Sequence, residues 1–365
     1  MMQFSFTPEQ EELRSVLRRF LERQCPVDRV RAVMADPAGD EIWPRAAAEL
    51  GLAALAVPEE YDGAGAGFVE LAVVVEEWGR ALAPGPLLAT AVAAPATLLA
   101  SGDSAACARL LPALAAAELT AAVALDAAGQ RPPAVTAVQQ GDGWVLSGQV
   151  PMVLDGLAAD VVLVPATTDG GLLWFEVPAT GLTREAVSAI DQTRQLANLH
   201  FAATPAVAIQ AAEPRTILDR TVNVLITALA VEQVGVAARC LELTLGHVRT
   251  REQFGRPIGT FQAVQHRCAE MLLRLESARS AAYYAAWAVD GAPAELPRAA
   301  SLAKSYCSEA AGFITAETLQ LHGGIGFTWE HDAHLYFKRA RASAILLGTA
   351  SELTDLIGAQ LAAII

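Results

Sequence analysis

Residues 120–210 carry a pattern that the rest of the chain lacks. They are rich in Val, Thr, Gly and Trp, with apolar residues alternating at period two, whereas the sequence on either side is alanine-rich and of helical period. A period of two cannot be laid on a helix whose faces recur every 3.6 residues, so a β unit must sit between two helical ones. Within it, AVTAVQQ, Gly141-Asp142-Gly143 and WVLSGQV predict one hairpin; DVVLVPATT, Gly170-Gly171 and LLWFEVP predict a second. The expected class is α+β, with boundaries at 1–118 for an amino-terminal helical domain, 119–212 for a middle β domain and 213–365 for a carboxy-terminal four-helix bundle.

The flanks support that division. Thr7, Pro8 and Gln10 spell a T-x-x-Q capping box with proline at the first helical position, ahead of Leu13, Val16, Leu17 and Phe20 on one face. Helical text continues to about Leu114, broken at Pro37, at the PEEYDGAGAG run from Pro58 and at the prolines from Pro84 to Pro95. The uncharged stretch Ala81–Gly102 contains three of those prolines and reads as a buried helix with a proline-marked entry, not a membrane span. Beyond Pro214 the expected helices are 216–249, 260–290, 294–320 and 340–361.

Composition narrows the function classes. At 365 residues, 53% of them hydrophobic, the chain exceeds the usual size of a single core, and it is too apolar to be disordered. Its 26 basic and 40 acidic residues give a net charge of -14, which argues against a nucleic-acid or anionic-membrane surface. Cys25, Cys107, Cys240, Cys268 and Cys307 form no C-x-x-C pair, so inert core cysteines in a reducing cytoplasm are expected. The amino terminus has charges in its first turns and no apolar core of a secretory signal.

Two segments carry chemistry. In RTREQFGRPIGTFQAVQHRCAEM, residues 249–271, Arg251 and Arg256 beside Gly255 and Gly259 can offer guanidinium groups and open backbone to a pyrophosphate. In LQLHGGIGFTWEHDAHLYFKRA, residues 319–340, Gly323, Gly324 and Gly326 allow a ligand close to the backbone.

At these residues the chain resembles the acyl-CoA dehydrogenase family of flavoproteins. The resemblance rests on R-x-x-F-G-x-x-I-x-x-x-Q (Arg251, Phe254, Gly255, Ile258, Gln262) and Q-x-x-G-G-x-G-F (Gln320, Gly323, Gly324, Gly326, Phe327). The segment DQTRQLANLHF from Asp191 and the helix–β–helix order extend it over the whole chain. It implies an FAD-dependent oxidoreductase of lipid metabolism that removes two hydrogens from Cα and Cβ of an acyl-CoA and passes electrons to an electron-transfer flavoprotein. It also implies a homo- or hetero-oligomer, a dimer or tetramer, with FAD lying across a subunit interface. Arg251, Phe254, Gln262, Gln320, Gly323 and Gly324 would then grip the adenosine and pyrophosphate of a cofactor held by a neighbouring subunit, and Thr349 joins the cofactor-binding set. No metal is implied, so His322, His331 and His334 read as surface or interface residues of the glycine-rich loop.

The chain departs from the family where the reaction takes place. The family's base in a Y-E-G-T string falls on Leu347, in Leu346-Leu347-Gly348-Thr349, and the alternative helix-borne base falls on Leu225, with a CoA-contacting arginine replaced by Ile226. The W-I-T string that meets the flavin ring falls on Met152-Val153-Leu154, and the T-E-P-x-x-G-S-D loop is scarcely recognisable around Leu125–Gly129. Glu232, the only acid between Thr221 and Arg239, lies about two turns beyond Leu225. It is a candidate relocated base or acyl-tail contact, against a buried carboxylate held by hydrogen bonds at a helix seam. Three readings follow: a non-catalytic, FAD-gripping subunit working with a catalytic acyl-CoA dehydrogenase subunit, a self-sufficient enzyme using Glu232, and a flavin-free scaffold. The leucines predict a narrowed or occluded pocket.

Overall fold

The computed structural model describes residues 5–126, 134–211 and 213–362. Its first unit holds α1 (Pro8–Gln24), α2 (Val27–Ala35), α3 (Ile42–Leu50), α4 (Phe68–Ala81), α5 (Ala94–Ser101) and α6 (Ser104–Ala115). The box that opens α1 is formed: Thr7 Oγ1 accepts from the Gln10 amide at 3.3 Å and Gln10 Oε1 from the Thr7 amide at 3.0 Å. Leu17, Phe20 and Leu21 are its buried face. The stretch before α5 winds as a π-helix, Leu87–Ala93, with every side chain buried. Pro95 lacks an amide hydrogen and its ring would crowd the carbonyl of Ala91, a conflict the wider turn relieves.

The β unit comprises β1 (Ala121–Val123), β2 (Ala134–Gln140), β3 (Gly143–Leu154), β4 (Val161–Thr168), β5 (Gly171–Pro178), β6 (Thr183–Ala186) and β7 (Leu196–Ile209). Both expected hairpins form, with Gln140 opposite Gly143 and Thr168 opposite Gly171. Pairing runs β4–β2–β3–β7–β5 and returns to β4, so the sheet closes on itself around Leu146, Val150, Val162, Val164, Phe175 and Leu199. The parallel pairing of β1 with β4 is an addition that hairpin reasoning does not reach.

The last unit holds α7 (Pro214–Thr250), β8 (Glu252–Gln253), β9 (Arg256–Pro257), α8 (Gln262–Gly291), α9 (Leu296–His322), α10 (Ala333–Ile345) and α11 (Ala350–Ala362). By length and composition α7 could cross a bilayer, but 89% of its most apolar window is buried inside the protein. It crosses α4 at paired glycines: a Cβ on Gly235 would stand 1.9 Å from the Glu76 carbonyl oxygen, and one on Gly79 2.4 Å from that of Glu232. Near this crossing, Glu76 takes Arg14 at 2.9 Å, Arg279 at 3.2 Å and the Tyr283 hydroxyl at 2.6 Å, tying α1, α4 and α8 together.

The expected single helix over 340–361 is two helices. α10 begins earlier and ends at Ile345, and the chain turns through Leu347 at φ 59° and Gly348 at φ 114° before α11. Thr349 caps α11 in a T-x-x-E box, its Oγ1 accepting from the Glu352 amide at 3.3 Å and its amide donating to Glu352 Oε2 at 2.8 Å. The apolar run Ile345-Leu346-Leu347 masks this signal, because helical periodicity reads straight through it.

Candidate functional site

The arginine motif is a tight turn between two long helices. α7 stops at Arg251, whose backbone is extended, and β8 and β9 pair around Phe254 at φ 56° and Gly255 at φ 78°. Phe254 is thereby thrust into solvent, 92% exposed, with its ring edge-on to Phe261 at 6.1 Å. The Arg256 guanidinium lies 4.2 Å from the Phe261 ring, and Arg251 forms no ion pair among the described residues. Gln262 opens α8 on the exposed side of the same turn.

The glycine motif ends α9. Gln320, Gly323 and Gly324 are exposed, and a Cβ added to either glycine meets nothing within 4 Å. Gly326, by contrast, packs against the Leu319 carbonyl, which a Cβ would approach to 2.9 Å. The two motifs are joined by a run of imidazoles: His322 stacks on His247 at 4.3 Å and on His331 at 4.4 Å. His322 is buried inside the chain and its Nδ1 lies 2.7 Å from the Thr318 carbonyl oxygen, which departs from the surface or interface position expected of it. Desolvation pushes both His247 and His322 below the usual imidazole range. Among the described residues no group of three His, Cys, Asp or Glu side chains could hold a metal.

The positions at which the resemblance puts the reaction groups come together elsewhere. Leu225 from α7, Leu347 from the α10–α11 break, Met152 and Leu154 from β3, and Leu125 and Asp126 after β1 all line one cavity of about 30 Å³. That is the liquid volume of about one water molecule. Leu347 and Met152 both have positive φ, and the Met152 amide donates to Asn198 Oδ1 at 3.1 Å. The remainder of the eroded loop, 127–129, lies outside the described residues. Thr349 is committed to capping α11, its hydroxyl donating to Glu352 Oε2 at 2.8 Å.

Glu232 sits in the interior, 2% exposed, between two arginines. Arg194 Nη2 reaches its two oxygens at 2.6 and 2.5 Å, Arg339 Nη1 reaches Oε1 at 2.9 Å and Ser343 Oγ donates to Oε2 at 3.0 Å. Burial alone would raise this carboxyl; the two guanidinium groups and the hydrogen bonds overcome it and hold the group at about 2. Arg339 also meets Asp191 at 2.8 Å and the Thr193 carbonyl oxygen at 2.9 Å. Asp155, buried beside both arginines, is pushed up to about 7 by desolvation against their opposing field. A second cavity of about 30 Å³ borders this cluster.

Comparison with known proteins agrees with the geometry. The chain matches the family models described as acyl-CoA dehydrogenase, N-terminal domain, over residues 7–118 and acyl-CoA dehydrogenase, C-terminal domain, over 217–362. It is 36% identical over 346 residues to acyl-CoA dehydrogenase IpdE2 of Mycobacterium tuberculosis, covering 94% of each chain. The chain belongs to the acyl-CoA dehydrogenase family. Among solved structures, this chain is similar to the Tcur3481-Tcur3483 steroid ACAD G363A variant (35% identity, TM-score 0.86, 97% of this chain and 98% of that one). It is also similar to the ChsE4-ChsE5 complex of Mycobacterium tuberculosis (27% identity, TM-score 0.89, 99% of both chains).

Against that family background, the residues that sequence reading passed over are the partners of Glu232. Arg194 and Asp191 lie in the DQTRQ segment, noted only for its resemblance, and Arg339 closes the glycine motif's segment. A carboxylate alone on an apolar helix demands a cation, which is the signal that could have led to them. Lys304 is a further case. Fully buried on α9, its ammonium donates to Ser308 Oγ at 3.2 Å and to the Ala344 and Gly348 carbonyls at 3.3 and 3.4 Å, and desolvation lowers it to about 8. It therefore braces the break that carries Leu347.

Proposed function

We propose that this chain is the non-catalytic, FAD-gripping subunit of a heteromeric acyl-CoA dehydrogenase. In this reading Arg251, Phe254, Gln262, Gln320, Gly323 and Gly324 serve the adenosine and pyrophosphate of an FAD whose ring and acyl-CoA thioester belong to a catalytic partner subunit. The carrying observation is the 30 Å³ cavity where Leu225, Leu347 and Met152 meet: both positions at which the resemblance puts the base are leucines, Asp126 is the one carboxylate among its lining residues, and there is no room for a flavin ring or a thioester.

The residues present fit one end of FAD and not the other. Arg251 is exposed with no ion pair among the described residues, Phe254 offers a free aromatic face, and Gly323 and Gly324 leave open space where a pyrophosphate can meet backbone. When bound, FAD supplies the hydride acceptor; this chain's own contribution is to hold the distal end of the cofactor and to exclude water from its leucine-filled centre. Glu232 is a poor base on both counts that matter. A carboxylate held at about 2 has little affinity for a Cα proton, and both its oxygens are already bonded. A heteromer is further supported by two similar structures named as pairs of differently designated chains. Electron-transfer flavoprotein as acceptor, tetrameric assembly and a cytoplasmic location belong to the same proposal.

The visible spectrum tests it. The chain purified alone should show no acyl-CoA-dependent flavin bleaching, and co-expression with a catalytic subunit should yield FAD-loaded, active oligomer. Bleaching by the isolated chain would establish a self-sufficient enzyme; an active oligomer whose FAD content ignores this chain would leave only a scaffold.

A further inference from the structure

A sizeable apolar space among the helices lies away from the reaction centre. α4, α5, α7 and the end of α8 enclose a cavity of about 250 Å³, several times the volume at Leu225 and Leu347 and larger than the roughly 150 Å³ apolar cavity that admits benzene. Leu71, Val92 and Val224 form its wall, and half-buried Ala96 lies at its rim beside Leu99. On α7, Val224 and Leu225 are successive residues, about 100° apart around the helix, so the two spaces lie on different faces of it.

One cation belongs to this wall. Arg220 Nη2 donates to the Val289 carbonyl at 2.7 Å, but its Nη1 is buried with no hydrogen-bond partner. Asp290, also in the wall, favours the Arg220 charge from beyond ion-pair distance, while its Oδ2 accepts from the Phe68 amide at 2.7 Å. Desolvation pushes the Arg220 guanidinium down despite the attraction of Asp290, a cost that an acceptor bonded to its unpartnered Nη1 would reduce.

We propose that this cavity is a binding site for an amphipathic monocarboxylate, an apolar chain or ring in the space between α4, α5 and α7 with its anionic head on Arg220. The site is separate from the acyl-CoA reaction and does not depend on the heteromeric reading. Its ligand is a free carboxylate and not a CoA thioester, because the head group must offer a strong acceptor to the unpartnered Arg220 Nη1.

Isothermal titration calorimetry of the full chain with octanoate, octan-1-ol and octanoyl-CoA tests the assignment, with hydrogen–deuterium exchange on the wild type to locate the bound probe. Octanoate should bind saturably at one site and protect the Phe68–Leu71 and Pro95–Ala100 segments, with octanol weaker by about tenfold to a hundredfold. Arg220→Gln should cost octanoate a similar factor, Arg220→Lys much less, and Ala96→Phe should abolish binding by filling the mouth. Absence of saturable octanoate binding, protection elsewhere in the chain, or equal affinity for octanol overturns the proposal. So does octanoyl-CoA displacing octanoate with equal affinity, which would make the cavity a receptor for a thioester's tail.

Discussion

Replacing Glu232 with glutamine preserves the volume of the side chain and removes the charge on which two buried arginines depend. In the native protein Arg194 and Arg339 both donate to this carboxylate, and Asp191 is the other anion that directly meets Arg339. A glutamine oxygen can accept from one guanidinium, but the new amide group turns a donor toward the other. Removing one partner of a buried ion pair costs about 3 to 5 kcal/mol. With an unfolding entropy near 2.1 cal/mol/K per residue over 365 residues, cooperative unfolding would shift down by about 4 to 7 °C. Differential scanning calorimetry and turnover of the assembled oligomer, read on the same preparation, separate stability from chemistry. The expected result is the lower midpoint with turnover per folded oligomer unchanged within a few fold. A double-mutant cycle with Arg339→Met should show coupling of about 1 to 3 kcal/mol, since the two changes remove the same contact. An unchanged midpoint with turnover reduced by orders of magnitude would refute the reasoning and make Glu232 a base.

Three further outcomes follow from named contacts. Asp155 has its folded carboxyl raised from 3.8 to about 7, so the native state binds the proton more tightly and this group's stabilising effect fades as pH rises from about 4 through 7; Asp155→Asn should therefore gain stability relative to wild type between pH 5 and 8 in urea titrations, and a constant difference would contradict it. Arg251→Ala removes a charge-assisted contact worth about 1.5 to 3 kcal/mol, so FAD occupancy of the co-expressed oligomer should fall with a tenfold or greater loss of affinity by equilibrium dialysis, and retained affinity would remove Arg251 from the grip. Gly235→Ala places a Cβ 1.9 Å from the Glu76 carbonyl oxygen at the α4–α7 crossing, so soluble yield and thermal midpoint should drop by an amount matching at least 1 to 3 kcal/mol, roughly the cost of overpacking; a neutral result would mean that the helices separate freely.

What the sequence made legible was whatever a short local pattern encodes. The T-x-x-Q box and the glycine-flanked hairpins each need only neighbouring residues to declare themselves, and each took the form that local pattern predicts. The α10–α11 break was equally local in its T-x-x-E box, but the apolar run before it carried the helical period across the turn. The buried charges were not legible, because Glu232, Arg194 and Arg339 are separated by tens to more than a hundred residues and meet only when α7, the segment before β7 and α10 pack together. A lone carboxylate on an apolar helix announces that a partner exists without saying which.

The same packing explains why leucines at the positions where the resemblance puts the bases need not leave a hole. Opening a family-sized pocket without a ligand would expose apolar walls and leave charge unpaired, both destabilising in a dry interior. Leu225 and Leu347 instead line a space of only about 30 Å³, and the Glu232–Arg194–Arg339 cluster borders a separate one of the same size. Leu347 holds a left-handed backbone that ordinarily favours glycine, which costs roughly 1 to 2 kcal/mol, and the buried ammonium of Lys304 bonds the Gly348 carbonyl immediately after it. That strain is retained where it keeps a leucine in the centre, so the closed pocket is an actively supported conformation and not merely one from which a carboxylate has been deleted.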